Sequence, residues 1–175
     1  LVAYGKDHQI IHQGSLSATG VDGIAARFDF GDNLMGSKEE YRGSYIRTKF
    51  EAWTDTDKNL GDLNRYNLDG SLVSRFDVTG SLTGRKAAIY IGKNALVKEI
   101  NIMRGASLSG DIISDWDVTN PRIDFSGNKE DLVSTLSFGY APQADGSISR
   151  SLSRSADPNF ALRYDGNISG ASSTR

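Results

Sequence analysis

Between Phe76 and Ile113 the chain says one thing several times: two apolar residues spaced by one, followed by a turn that contains glycine. Phe76/Val78, Ile89/Ile91, Ile100/Ile102 and Leu108/Gly110/Ile112 share one face of their segments, while Asp77, Tyr90, Asn101, Ser109 and Asp111 share the other. A side-chain period of two is the mark of a strand with one buried face. The doublets return after about a dozen residues, the spacing of short strands joined by tight turns into a repeating coil. One coil has a single apolar face and cannot close a core alone. Stacked at about 4.8 Å, each coil pairs its strands with the copies above and below. The expected fold is therefore all-β: a right-handed parallel β-helix (β-solenoid) segment with protruding loops, one unit over residues 1–175. Glycine, 19 of the 175 residues, is expected at the corners, with Ala87, Ala88 and Ala106 packing tightly inside.

The same alternation extends along the chain. Ile24, Ala26, Phe28 and Phe30 read inward against Ala25, Arg27 and Asp29, after Ile10, Ile11 and Leu16. A slide that sets Gly23 on Gly84 also sets Ala26 on Ala87, Phe28 on Ile89 and Phe30 on Ile91. Ile46, Phe50 and Ala52 alternate with Arg47, Lys49, Glu51 and Trp53, and Leu72 begins the return to the central coils. Leu82, Ile123/Phe125, Leu136/Phe138 and Phe160/Leu162/Tyr164 continue the inward set, with Ile168 as its last member. Segments Asp32 to Gly43, Thr54 to Gly70 and Pro142 to Pro158 are too rich in polar and turn residues for core strands and read as protruding loops. Pro121 belongs at a strand start or edge. The one helical competitor runs from Asn128 to Leu136, too short to stand without packing.

Composition removes several classes of function. Twenty basic and 22 acidic residues are interspersed, for a formal charge of −2, so nothing provides the footprint of a nucleic-acid or anionic-membrane binder. No apolar run approaches the roughly eighteen residues that span a bilayer as a helix. The absence of cysteine excludes thiol catalysis, Cys-ligated metal and disulfide staples. Leu1 opens without a signal-peptide order and the chain stops at Ser-Ser-Thr-Arg, so both ends read as cut from a longer protein.

At the level of motifs, Gly80-Ser-Leu-Thr-Gly followed by Ala87-Ala-Ile-Tyr-Ile, and the run Ile100 to Ile113, resemble passenger domains of bacterial autotransporters, the type V secreted surface proteins. Gly14 to Asn33, Tyr41 to Ile46, and Asp157 to Gly170 are similar to passengers whose N-terminal part is a subtilisin-like serine protease. The resemblance implies export across the outer membrane to the bacterial cell surface, flanking coils and a C-terminal membrane barrel as partners within the same protein, and any peptidase domain lying outside these residues. Absent cysteine agrees with it, because a periplasmic disulfide hinders threading through the membrane.

His8 and His12, spaced i, i+4, lack the Glu of HExxH and a third ligand, and read as solvent-exposed histidines. Asp55-Thr-Asp-Lys-Asn opens like a calcium loop but has Leu60 at the glycine position and Tyr66 in place of the bidentate Glu. Asp111, Asp115 and Asp117 bracket Trp116, the raw material of a carboxylate pair beside a sugar-stacking aromatic. Outward-lying Trp53, Tyr45, Tyr90 and Trp116 would supply a binding patch. Arg42-Gly-Ser and Arg104-Gly-Ala are not Arg-Gly-Asp signals, and Asn167-Ile-Ser fits a glycosylation sequon only as short patterns do. No catalytic, cofactor or metal residue is assigned. The expected role is structural: a β-helical stalk segment that displays an N-terminal effector and is not itself an enzyme. The alternatives are an adhesin whose loops touch host or neighbouring-cell molecules and, behind it, a carbohydrate-active β-helix.

Overall fold

The computed structural model describes residues 7–29, 71–92, 95–116, 133–141 and 155–170. Among these the ordered elements are all strands: β1 (His8–His12), β2 (Ser15–Ala18), β3 (Ile24–Phe28), β4 (Val73–Val78), β5 (Ser81–Ile91), β6 (Val97–Ile102), β7 (Ser107–Ser114), β8 (Thr135–Phe138) and β9 (Ile168–Gly170). They form two parallel sheets, ordered β1-β4-β6-β8 and β2-β5-β7-β9, with β3 also paired to β5. The chain thus alternates between the sheets. Each later passage lays one strand on each sheet, beside the strand laid by the passage before.

Register follows the sequence pattern. Ile10, Phe76, Ile100 and Leu136 form one column across the first sheet, and His12, Val78, Ile102 and Phe138 form the next. On the second sheet Ser15-Leu-Ser-Ala, Ser81-Leu-Thr-Gly and Ser107-Leu-Ser-Gly lie side by side, with Leu16, Leu82 and Leu108 in one column. Phe28 meets Phe76 edge-on, ring centroids 5.1 Å apart, so the apolar faces of the two sheets share one core. Val73, Val78, Leu82, Ile89, Ile91, Leu96, Ile100 and Ile102 are buried in it.

Glycine does more than turn corners. Gly84 and Gly110 sit inside strands β5 and β7, where a Cβ on Gly84 would collide with the Ala87 carbonyl and one on Gly110 with the Gly84 carbonyl. Gly110 also has φ +104°, open to glycine but strained for other residues. Asp7, at φ 56°, leads into β1 and accepts a 2.7 Å hydrogen bond from the Ser71 hydroxyl.

Several expectations change. The pairing that joins the first and second passages is Ala26 to Ile89 and Phe28 to Ile91, two residues on from the slide read in the sequence. A shift of two keeps every side chain on its expected face and changes only its partner. Phe138 and Ile168, read as inward, are 41% and 55% exposed, because each stands at the end of its column with no further strand over it among the described residues. Ile24, Leu136 and Leu162 are half-buried. Trp116, read as outward, is only 2% exposed and belongs to the core. Thr135 and Leu136, the tail of the helical competitor, are strand. Phe160, Leu162 and Tyr164 are more buried than Ala161, Arg163 and Asp165, as alternation requires, but carry no ladder; β9 begins later, at Ile168. The end of the Pro142–Pro158 loop is anchored, with Tyr140 and Ala156 in an antiparallel bridge. Phe30, Ile46, Phe50, Ile123, Phe125, Pro121 and the loops Asp32 to Gly43 and Thr54 to Gly70 lie outside the described residues.

Candidate functional site

The most unusual chemistry lies on the face of the first sheet turned away from the core. The pleat sends Arg75 and Asp77 outward from β4, and Glu99 and Asn101 outward from β6. Register then sets Arg75 beside Glu99 and Asp77 beside Asn101. Asp77 and Asn101 lie on the face opposite the apolar doublets, as the alternation requires, yet Asp77 is 0% and Asn101 1% exposed, and Arg75 is buried with them. Asn101 Nδ2 donates to Asp77 Oδ1 at 2.8 Å. Arg75 Nε lies 2.9 Å from Asp77 Oδ2, an ion pair without the alignment of a hydrogen bond. Burial lifts the Asp77 carboxyl above its ordinary 3.8, while the Asn101 hydrogen bond and the Arg75 charge pull back and Glu99 adds to the rise. The Asn101 hydrogen bond and the Arg75 ion pair at this buried carboxyl tie β4 to β6. Aligning β4 with β6 at their 24-residue separation would have found it, since that places acid against amide and base against acid.

On the outer face of the second sheet, Arg27 of β3 and Tyr90 of β5 are register partners, and the guanidinium stands 5.4 Å from the ring centroid. Arg27 also pairs with Asp29 at 2.6 Å. Tyr90 donates its hydroxyl proton to Asp115 Oδ2 at 2.8 Å, and this bond, then burial and the Asp115 charge, raises the phenol above its usual 10.0. Tyr90 is thus the one outward aromatic of the proposed patch that the described residues contain; Trp53 and Tyr45 lie outside them.

Asp111 is engaged elsewhere. Its Oδ1 accepts from the Asn167 backbone N–H at 2.9 Å, while the Tyr164 hydroxyl donates to the Gly110 carbonyl at 2.9 Å. These contacts fasten the segment before β9 onto β7. Burial and the Asp111 charge raise the Tyr164 phenol. The acids read as a possible pair are therefore committed to different partners, Asp111 to Asn167 and Asp115 to Tyr90, with Trp116 unavailable for stacking and Asp117 outside the described residues.

Both histidines belong to β1 and are half-buried, not solvent-exposed as expected. His12 Nε2 donates to the Ser81 carbonyl at 3.0 Å. In a strand, residues four apart are separated by about 13 Å, so the pair does not converge on one ion. Among the described residues no three His, Cys, Asp or Glu side chains group as metal ligands. Asp55 to Asn59 and Arg42 are outside them; Arg104 is described and pairs with buried Asp157 at 3.3 Å. Asn167 of the sequon is bound through its backbone and side chain to Asp111.

No protein-family model, no curated protein and no solved structure matches the chain.

Proposed function

We propose that the chain is a segment of a right-handed parallel β-helix serving as a stalk in an autotransporter-like passenger on a bacterial cell surface. The observation that carries this reading is the alternation of the chain between two parallel sheets, each new strand beside that of the preceding passage. Such stacking makes a rod whose length scales with the number of passages, which suits a spacer. The buried polar side chains described above hold strands to strands, so in this reading the segment is no enzyme and the effector, the membrane barrel and the flanking coils belong to other parts of the same protein. Loops that contact host molecules would make the same rod an adhesin.

The test uses the full-length protein in its native cell. Antibodies against residues 155–170 should label intact cells. Labelling that requires permeabilised cells overturns the surface placement. Deleting residues 73–96 removes one passage and leaves β6 to pair with β1; display of the flanking domains should survive. Unchanged display with loss of host-cell attachment would replace the stalk by the adhesin.

A further inference from the structure

We propose that Asp165-Gly166 is a site of spontaneous covalent modification, at which Asp165 converts to isoaspartate and β9 is thereby unfastened from β7. An aspartate followed by glycine is open to attack on its side-chain carboxyl by the next backbone nitrogen, because glycine has no Cβ to obstruct the approach. The chain has four such pairs, Asp22-Gly23, Asp69-Gly70, Asp145-Gly146 and Asp165-Gly166, of which the first and last lie among the described residues. Their surroundings are opposite. Gly23 is held on both sides: its N–H donates to the Gly20 carbonyl at 2.8 Å, and its own carbonyl accepts from Lys86 and Ala87 at 2.9 and 3.3 Å. The Gly166 N–H donates to no group among the described residues. The Asp165 side chain is 80% exposed, and its ion-pair partner Arg163, 3.6 Å away, is more exposed still. A pair of that kind in open water restrains little, so the carboxyl can turn onto the Gly166 nitrogen. Packing also requires glycine here, since a Cβ on Gly166 would collide with the Tyr164 hydroxyl and the Gly110 carbonyl.

The reaction needs only water. The Gly166 nitrogen bonds to Asp165 Cγ and gives up its proton, one carboxyl oxygen leaves as water, and a five-membered succinimide closes. Water then opens the ring. Attack at Cγ restores aspartate, whereas attack at the main-chain carbonyl breaks its bond to nitrogen, leaves that carbonyl as a free carboxylate, and routes the backbone through Cβ and Cγ. The isoaspartyl backbone is longer by one carbon, about 1.5 Å. That carbon enters between two fastenings. On one side the Tyr164 hydroxyl donates to the Gly110 carbonyl at 2.9 Å; on the other the Asn167 N–H donates to Asp111 Oδ1 and the Asn167 carbonyl accepts from Ile112, each at 2.9 Å. The lengthened segment no longer spans them at their present spacing. Strand β9 is three residues long and pairs only with β7 among the described strands, so it is the part that lets go.

The test incubates the folded full chain at mildly acidic pH and physiological temperature, then digests it and reads each peptide with an isoaspartyl-specific carboxyl methyltransferase. Asp165 should gain isoaspartate at least about tenfold faster than Asp22, whose reaction must first open the hydrogen bonds of Gly23, and in denaturant the two should convert at similar rates. Asp165→Glu keeps the charge but would have to close a six-membered ring, which forms far more slowly, so position 165 should stay unmodified. In the converted fraction, separated by ion exchange, the Ile112 and Asn167 amides should exchange hydrogen faster than in the unconverted fraction, while those of Ile89 and Ile102 keep their protection. Four results would each overturn the inference: no isoaspartate at Asp165, equal accumulation at Asp22 and Asp165 in the folded chain, unchanged exchange of Ile112 and Asn167 after conversion, or an Asp165→Glu chain that loosens as fast as the wild type.

Discussion

Asn101 and Asp77 face each other across the β4–β6 ladder, joined by a 2.8 Å hydrogen bond, and neither side chain reaches solvent. Arg75 completes the group at 2.9 Å. The value of these three side chains differs when one is removed and when the set is replaced. Asp77→Ala removes the carboxylate from beside the buried guanidinium and the Asn101 amide and should lower stability by about 3–5 kcal/mol, whereas Arg75→Met combined with Asp77→Leu should cost less, because the two charges leave together. Denaturant midpoints of the single and double variants decide this. A double variant as unstable as the single one would show that the charges are needed for more than mutual compensation.

The raised Asp77 carboxyl gives a pH signature with a definite sign. A folded pKa above the unfolded value means that the native state holds a proton the unfolded chain has released. The stabilisation is fully present below the unfolded pKa, near the ordinary 3.8, and is lost as pH rises through the higher folded value. Asp77→Asn stays neutral throughout. The stability of the wild type relative to this variant should therefore decline as pH rises across that window, and a difference that stays flat or increases would refute the raised carboxyl.

Glycines give a test of position. Gly110→Ala places a methyl group against the Gly84 carbonyl at a φ that L side chains rarely adopt, and should cost about 1–3 kcal/mol or more. Gly14→Ala and Gly20→Ala add a Cβ with nothing within 4 Å and should change stability by less than about 0.5 kcal/mol. Thermal melts of the three variants separate glycine needed for close backbone approach from glycine that merely lies in a turn.

Column ends and column interiors should differ in the same way. Ile102 is fully buried between Val78 and Phe138, so Ile102→Ala should cost about 2–5 kcal/mol through lost transfer and a cavity. Ile168→Ala, at a residue 55% exposed, should cost under about 1 kcal/mol. Equal losses measured by chemical denaturation would mean that Ile168 is covered in solution.

The bond from Tyr90 to Asp115 can be read spectroscopically. Asp115→Asn removes the carboxylate that holds the phenol proton, so Tyr90 should ionise at lower pH than in the wild type. Phenolate absorbance compared between Asp115→Asn and the same variant carrying Tyr90→Phe isolates that one ring. Stability should fall by no more than about 1.5 kcal/mol.

Period-two alternation made the strands and most core residues legible: Phe76, Val78, Ile89, Ile91, Ile100 and Ile102 all lie inside as their spacing requires. Alternation assigns a side chain to a face but does not say whether that face meets water. For this reason the alternation puts Asp77 and Asn101 on the correct side of the strand and leaves their burial unread. Trp116 lies two residues past the end of β7, in phase with Leu108 and Ile112, so carrying the two-residue period one step beyond the strand would have placed it in the core. Strand partners separated by tens of residues were the least legible. A slide that satisfies glycines and apolar residues is satisfied again two residues later, and only the three-dimensional ladder chooses between them.

Ser15 and Ser81 are partners 66 residues apart and joined by a 2.8 Å hydroxyl bond, whereas Asp77 and Asn101 are partners only 24 apart. Closing the longer connection costs only about 0.9 kcal/mol more than the shorter, by the logarithmic dependence of loop entropy on length. A change in the length of a connection therefore bears only weakly on the pairing it closes, while a single residue inserted inside β4 or β6 would turn every following side chain of that strand to the opposite face. Inheritable variation in length should accumulate at the crossovers and be purged from the strands, so that relatives of this sequence would differ most where it changes sheets.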